Sequence, residues 1–254
     1  DEPYAATITN LVQGSFVAGM LPLDISASDD THIGAIKVRI DGDVVRTLRA
    51  PEAFSYAADV AVTTSIDTTS LSAGAHDITI TAVDRFGKEF TSVVKTVHVD
   101  NDEPVVTADG PPDNTTISGV SPINIVGNAT DASGVTSIQL LVDGSIRDTV
   151  TIAPSQTHTE TITWNPLADA IGTHTLRMRC VDQAGNVGLS EPFTVIVDRD
   201  APSNVALTSP AAGDVIAATT GISIVANDDV AVTRIAWFVD GVQVAAQQAP
   251  SDFI

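Results

Sequence analysis

The apolar positions of this chain alternate in short runs and never settle into a helical period. In THTLRMRC, Leu176, Met178 and Cys180 fall on one side of an extended segment, because strand side chains repeat every second residue. VTSIQLLVDG places Ile138, Leu140 and Val142 likewise, with Val135 out of step at the start. No window holds a sustained 3.6-residue apolar period, and none approaches the ~20 apolar residues of a membrane-spanning helix. Between residues 104 and 199 the pattern predicts strands at PVVTADG, INIVGNAT, VTSIQLLVDG, SIRDTVTI, THTETITWNP, GTHTLRMRCVD and PFTVIVD. Asp-Gly pairs at Asp41, Asp143 and Asp240 mark tight hairpin turns, since Gly accepts positive φ without penalty.

The same sentence is written three times. SASDDTHIGAIKVRIDG (26–42), NATDASGVTSIQLLVDG (128–144) and VANDDVAVTRIAWFVDG (225–241) each carry an Asp twelve positions before the Asp of the Asp-Gly pair. Those leading acids are Asp29, Asp131 and Asp228. A second string, LSAGAHDITITAVDRFGKE (71–89), parallels DAIGTHTLRMRCVDQAGNV (169–187), aligning His76 with His174 and Asp84 with Asp182. Acidic links ending in proline recur at Asp1-Glu2-Pro3, Asp102-Glu103-Pro104 and Asp200-Ala201-Pro202. Proline there forces an extended link and denies a ladder hydrogen bond, so one sheet ends and the next begins. The expected division is 1–100, 101–199 and 200–254. The last stretch is the first half of a third copy, without the G-x-H half. It is read as a chain that stops early, a fragment, or a module completed by strands from another subunit. About seven short antiparallel strands in about 100 residues specify a β-sandwich of immunoglobulin type.

One family carries these strings in this order. ATDASGVTSIQLLVDG, then ITWNPL, then GTHTLRMRCVDQAGN resembles the motif series of bacterial immunoglobulin-like domains, found in tandem in secreted enzymes and adhesins. The likeness covers the second copy fully, the first with Phe86-Gly87-Lys88 in place of A-G-N, and the third in its first half. It implies an all-β chain of tandem immunoglobulin-like β-sandwiches, two complete and one partial, in an extracellular or cell-surface protein. Such motifs speak to fold far more than to function.

Composition narrows the partners. The formal net charge is -20, with 12 Lys and Arg against 32 Asp and Glu, which disfavours nucleic acid or an anionic membrane surface. The single cysteine, Cys180, allows no internal disulfide and reads as a small buried apolar residue. None of the five histidines (His32, His76, His98, His158, His174) has a Cys or His at metal-ligand spacing. There is no G-x-S-x-G, H-E-x-x-H, P-loop or G-x-G-x-x-G motif, so the chain is expected not to be an enzyme.

Calcium is the expected cofactor if there is one, because clustered carboxylates bind hard cations. The richest cluster is the first link, Asp100, Asn101, Asp102 and Glu103, with Asp84 in the turn VDRFG facing it. VDNDEP is similar to the linker of cadherins, where calcium stiffens the joint. The second link, VDRDAP, has Arg199 for Asn101 and Ala201 for Glu103, which weakens a site there. The inner loops with Asp29-Asp30, Asp131 and Asp228-Asp229 are the second choice. The competing reading is that all these acids cap turns.

The expected function is mechanical: a spacer, stalk, fibre, surface-layer or adhesin rod segment. The alternatives are an accessory region of a secreted polysaccharide-degrading enzyme and a ligand-binding adhesin module. Expected partners are neighbouring immunoglobulin-like units, identical subunits, or a host or glycan ligand, with no nucleic acid and no membrane insertion.

Overall fold

The computed structural model describes residues 2–118, 121–217 and 219–248. They form strands and turns with one 3-10 turn, Pro166–Ala168. In chain order the strands are β1 (Ala5–Ile8), β2 (Phe16–Val17), β3 (Met20–Ile40), β4 (Asp43–Arg49), β5 (Ala57–Asp67), β6 (Gly74–Asp84), β7 (Glu89–Thr91) and β8 (Lys95–Val99). Next come β9 (Val105–Asp109), β10 (Thr115–Ile117), β11 (Ile123–Val142), β12 (Ser145–Trp164), β13 (Gly172–Asp182), β14 (Val187–Leu189) and β15 (Phe193–Val197). The last four are β16 (Ser203–Ser209), β17 (Ser223–Asn227), β18 (Arg234–Val239) and β19 (Val242–Gln248). The fold class is all-β, immunoglobulin-like, as the alternation predicts.

Two features depart from a set of short antiparallel strands. INIVGNAT and VTSIQLLV are one continuous strand, β11, and SIRDTVTI and THTETITW are one strand, β12. β3 is long in the same way. What the sequence shows as a break is a β-bulge. The β11 register with β13 shifts between Val135 and Ser137, and that of β3 with β6 between Ile33 and Ala35. An extra residue there swaps which parity of side chain faces inward. Buried positions run Leu21, Leu23, Ile25, Ala27 before the bulge and Ile36, Val38, Ile40 after it. The two halves of β3 thus serve different ladders, the first pairing β1 and β5 and the second pairing β4 and β6. The other departure is that β2 pairs parallel to β8, and β10 parallel to β15. The chain entering each module crosses over to cover its last strand, which protects an edge that would otherwise stand unpaired.

By contact density the chain divides into two compact units, one of Asp1–Pro112, Ile123–Trp164 and Thr175–Phe193, the other of Asp113–Pro122, Asn165–His174 and Thr194–Ile254. In the first unit, β1–β8 enclose a core of branched aliphatics in which Leu23, Ile33, Ile36, Val38 and Ile80 are fully buried. Also in that unit, β11 pairs with β9, β12 and β13, and Ile125, Ile138, Leu140, Ile162, Leu176 and Met178 are buried. Cys180 joins this buried set, and burial pushes its thiol up to about 11, so it stays protonated and inert. In the second unit, β16 pairs β17 and β18 pairs β19, with most of their side chains exposed. Among the described residues no helix is long and apolar enough to cross a membrane.

Candidate functional site

The bulges place carboxylates at one recurring location. Asp84 is the cross-strand partner of Ile33 at the β3 bulge, and Asp182 is the partner of Val135 at the β11 bulge. Each then closes a turn with one oxygen: Asp84 Oδ1 accepts the N–H groups of Phe86 (2.7 Å) and Lys88 (2.8 Å). Asp182 Oδ1 accepts those of Gly185 (2.6 Å) and Asn186 (2.8 Å). The bulge loop supplies a second acid. Asp29 Oδ1 accepts from the Thr31 N–H and hydroxyl, and Asp131 Oδ1 from the Ser133 N–H (2.8 Å), Ser133 hydroxyl (2.7 Å) and Gly134 N–H (3.0 Å). Asp228 repeats the pattern with Val230 and Ala231. Short side chains that accept from the backbone two residues on are normal turn chemistry, so these acids have a folding role first.

In one place the acids converge. One carboxylate oxygen from each of Asp100, Asp131 and Asp182 lies within 4.8 Å of the other two. Asp100 and Asp182 are 6% and 3% exposed. Asp100 Oδ1 accepts the Asp102 N–H (3.1 Å), whereas its Oδ2 is buried with no hydrogen-bond partner. Asn186 Nδ2 donates to Asp182 Oδ2 (2.8 Å) and to the Asp100 main-chain oxygen (2.9 Å), drawing the two acids together. Burial is the main influence raising the Asp182 carboxyl above its usual value, against hydrogen bonds from Asn186 and Gly185 and with the Asp131 charge adding to it. Among the described residues no Lys or Arg pairs with any of the three. Such a group of oxygens can chelate a hard cation. A second group, Asp198, Asp228 and Asp229, has comparable spacing but is half-buried to exposed.

The residues singled out in the first link meet different fates. Asp100 is in the converging group. Asp84 is outside it, buried with its Oδ2 also without a partner. Asp102 and Glu103 line an open depression with Val105, Thr130, Asp131 and Gln156. Asn101 faces the other way: its Oδ1 accepts the Gly19 N–H (2.8 Å) and its Nδ2 donates to the Thr68 carbonyl (3.1 Å). Arg199, at the matching position of the second link, donates to the carbonyls of Pro166 (3.0 Å) and Asp169 (2.7 Å). The substitution keeps the job of capping the same loop. Asp131 and Asp182 complete the group from 31 and 82 residues down the chain, and their signal in the sequence is recurrence at fixed offsets, not adjacency.

The histidines shared by the copies belong to turns. His76 Nδ1 pairs with Asp41 Oδ2 at 2.7 Å and its Nε2 faces the Ser72 carbonyl at 2.9 Å. His174 Nε2 faces the Ala170 carbonyl at the same distance, 2.9 Å. Asp41, Asp143 and Asp240 sit at φ 53, 51 and 49, the left-handed geometry the Asp-Gly pairs predict.

Bulge-bearing long strands, crossing entry strands and acid-capped turns define a repeated immunoglobulin-like module. Residues 104–178 and 204–253 match the family model described as bacterial Ig domain, so these two stretches carry bacterial immunoglobulin-like domains. No curated protein matches it in sequence. Among solved structures, it resembles fibronectin(III)-like modules of Clostridium thermocellum CbhA at 22% identity, covering 76% of this chain and 94% of that one, TM-score 0.49. It also resembles a Ca2+-stabilised, ice-binding adhesin of an Antarctic bacterium at 18% identity, covering 81% and 52%, TM-score 0.37. Its likeness to the D00-D0 domain of intimin is 10% identity over 76% of this chain and 100% of that one, TM-score 0.31.

Proposed function

We propose that these residues are a non-catalytic structural segment of a secreted or cell-surface bacterial protein, spacing or presenting whatever domains are joined to them. The reading rests on one observation: the residue following each linker acid is latched backward. Asn101 holds the loop at Thr68, and Arg199 holds the loop at Pro166 and Asp169. A link whose side chains are hydrogen-bonded into the preceding loop transmits position and load, whereas a Gly/Ser tether does not. Membership of the bacterial Ig domain family and the absence of the common catalytic motifs support the same reading. Force spectroscopy on the full chain tests it. The expected record is a series of discrete unfolding peaks, each releasing about 300 Å, the extended length of a module of roughly 100 residues less its folded length. A featureless extension at low force overturns the mechanical role.

A further inference from the structure

The converging carboxylates ask for more than a turn role. A buried carboxylate oxygen without a partner is costly, and three like charges within 4.8 Å compound the cost. Asp100 Oδ2 is such an oxygen, on a side chain more than nine-tenths buried, in the same group as Asp131 and Asp182. The backbone N–H groups of two tight turns fix the Asp131 and Asp182 carboxylates, so the group is set in place by the fold itself. We propose that Asp100, Asp131 and Asp182 bind a calcium ion.

The chemistry of the donors chooses the metal. All three are carboxylates, which suits a hard cation and not zinc. The nearby thiol of Cys180 is committed to the Ser137 carbonyl, 3.1 Å away, and is held protonated by burial. Calcium accepts six to eight oxygens in irregular arrangements, while magnesium demands a near-ideal octahedron. Acids fixed by three different segments, the end of β8, the β11 bulge and the end of β13, fit the more tolerant ion. The first module carries the inner pair too: Asp29 and Asp84 occupy the matching positions, are 1% and 3% exposed, and each has an unpartnered Oδ2. Two inner acids therefore come with the module, and a linker acid completes the set. Bound there, the ion fastens the chain leaving β8 to two turns of the β11–β13 ladder.

Titration calorimetry with calcium chloride on the chelator-stripped, dialysed 254-residue chain, paired with thermal unfolding, tests the assignment. The parent is expected to show a saturable site and a melting midpoint that rises with calcium at about 1 mM, the range of extracellular calcium modules. Asp100→Asn is expected to weaken binding ~10-fold or more. In chelator the same variant should melt no lower than the parent, because it removes one of three repelling charges. Asp131→Asn should show the same loss of binding, and Asp198→Asn, in the less buried second group, should leave it unchanged. Far-UV circular dichroism confirms that each variant folds. Absence of binding heat and of any calcium-dependent shift in the parent overturns the proposal. So does an Asp100→Asn variant that keeps the calcium response, or an equal shift from magnesium or from sodium chloride at matched ionic strength.

Discussion

At Asp41 and His76 a charge pair fastens the β3–β4 turn to the start of β6. Asp41 Oδ1 accepts the Asp77 N–H at 2.9 Å while Oδ2 meets His76 Nδ1. The hydrogen bond to Asp41 is the main influence raising His76 above its usual 6.5. The Asp77 N–H, followed by His76, is what lowers Asp41 below 3.8. A raised His stabilises the fold fully below its unfolded value and loses that contribution as pH rises through the folded one. A depressed Asp contributes above its unfolded value and loses it as pH falls through the folded one. The pair is therefore at full strength between 3.8 and 6.5. His76→Gln should cost about 1 kcal/mol near pH 5, the value being modest because the Asp41 side chain is 51% exposed. Thermal unfolding at pH 5 and pH 9 checks this: the gap between parent and variant should narrow at the higher pH, and an equal gap at both rules out a charged pair.

Strand β14 is held where it is by the lack of a side chain. A Cβ on Gly188 would stand 1.9 Å from the Pro104 carbonyl oxygen, so the strand could not lie against the link leading into β9. Gly188→Ala should destabilise by about 3 kcal/mol in urea unfolding, because backbone must move. Gly127→Ala should cost less, since its nearest neighbour, at 2.4 Å, is the flexible tip of Met178. At this scale the sequence was only partly readable. Alternation located the ladders and the Asp-Gly turns, since those depend on local residue choice. It broke β11 at Asp131 and β12 around Pro154, because a bulge resets the alternation and a proline looks like an end. The irregular phase of Val135 was the trace of that bulge. For calcium the sequence points first to Asp100–Glu103 with Asp84 and second to inner-loop acids such as Asp131, whereas the oxygens that converge belong to Asp100, Asp131 and Asp182, acids separated by whole strands.

Over the whole molecule, 32 acidic against 12 basic residues leave the compact state working against its own charge. Raising sodium chloride from about 0.01 M to 0.1 M shortens the screening length from ~30 Å to ~10 Å, so the melting midpoint should climb by a few degrees. That climb is gradual and indifferent to the identity of the salt, unlike saturation of a single ion site; a midpoint flat across this range contradicts it. Repetition was legible at this scale because three copies of one string survive drift in everything else. The side chains at the first border carry a practical lesson for anyone cutting the chain apart. The Asp100 carbonyl is gripped by Asn186 from the following ladder, while Asn101, one residue later, grips Gly19 and Thr68 in the preceding one. The segments on either side of this link are dovetailed by one residue, so no scissor position between them is clean: a hybrid joined before residue 100 or after 101 tears one grip or the other, and recombination by shuffling should favour exchanging these two segments as a pair.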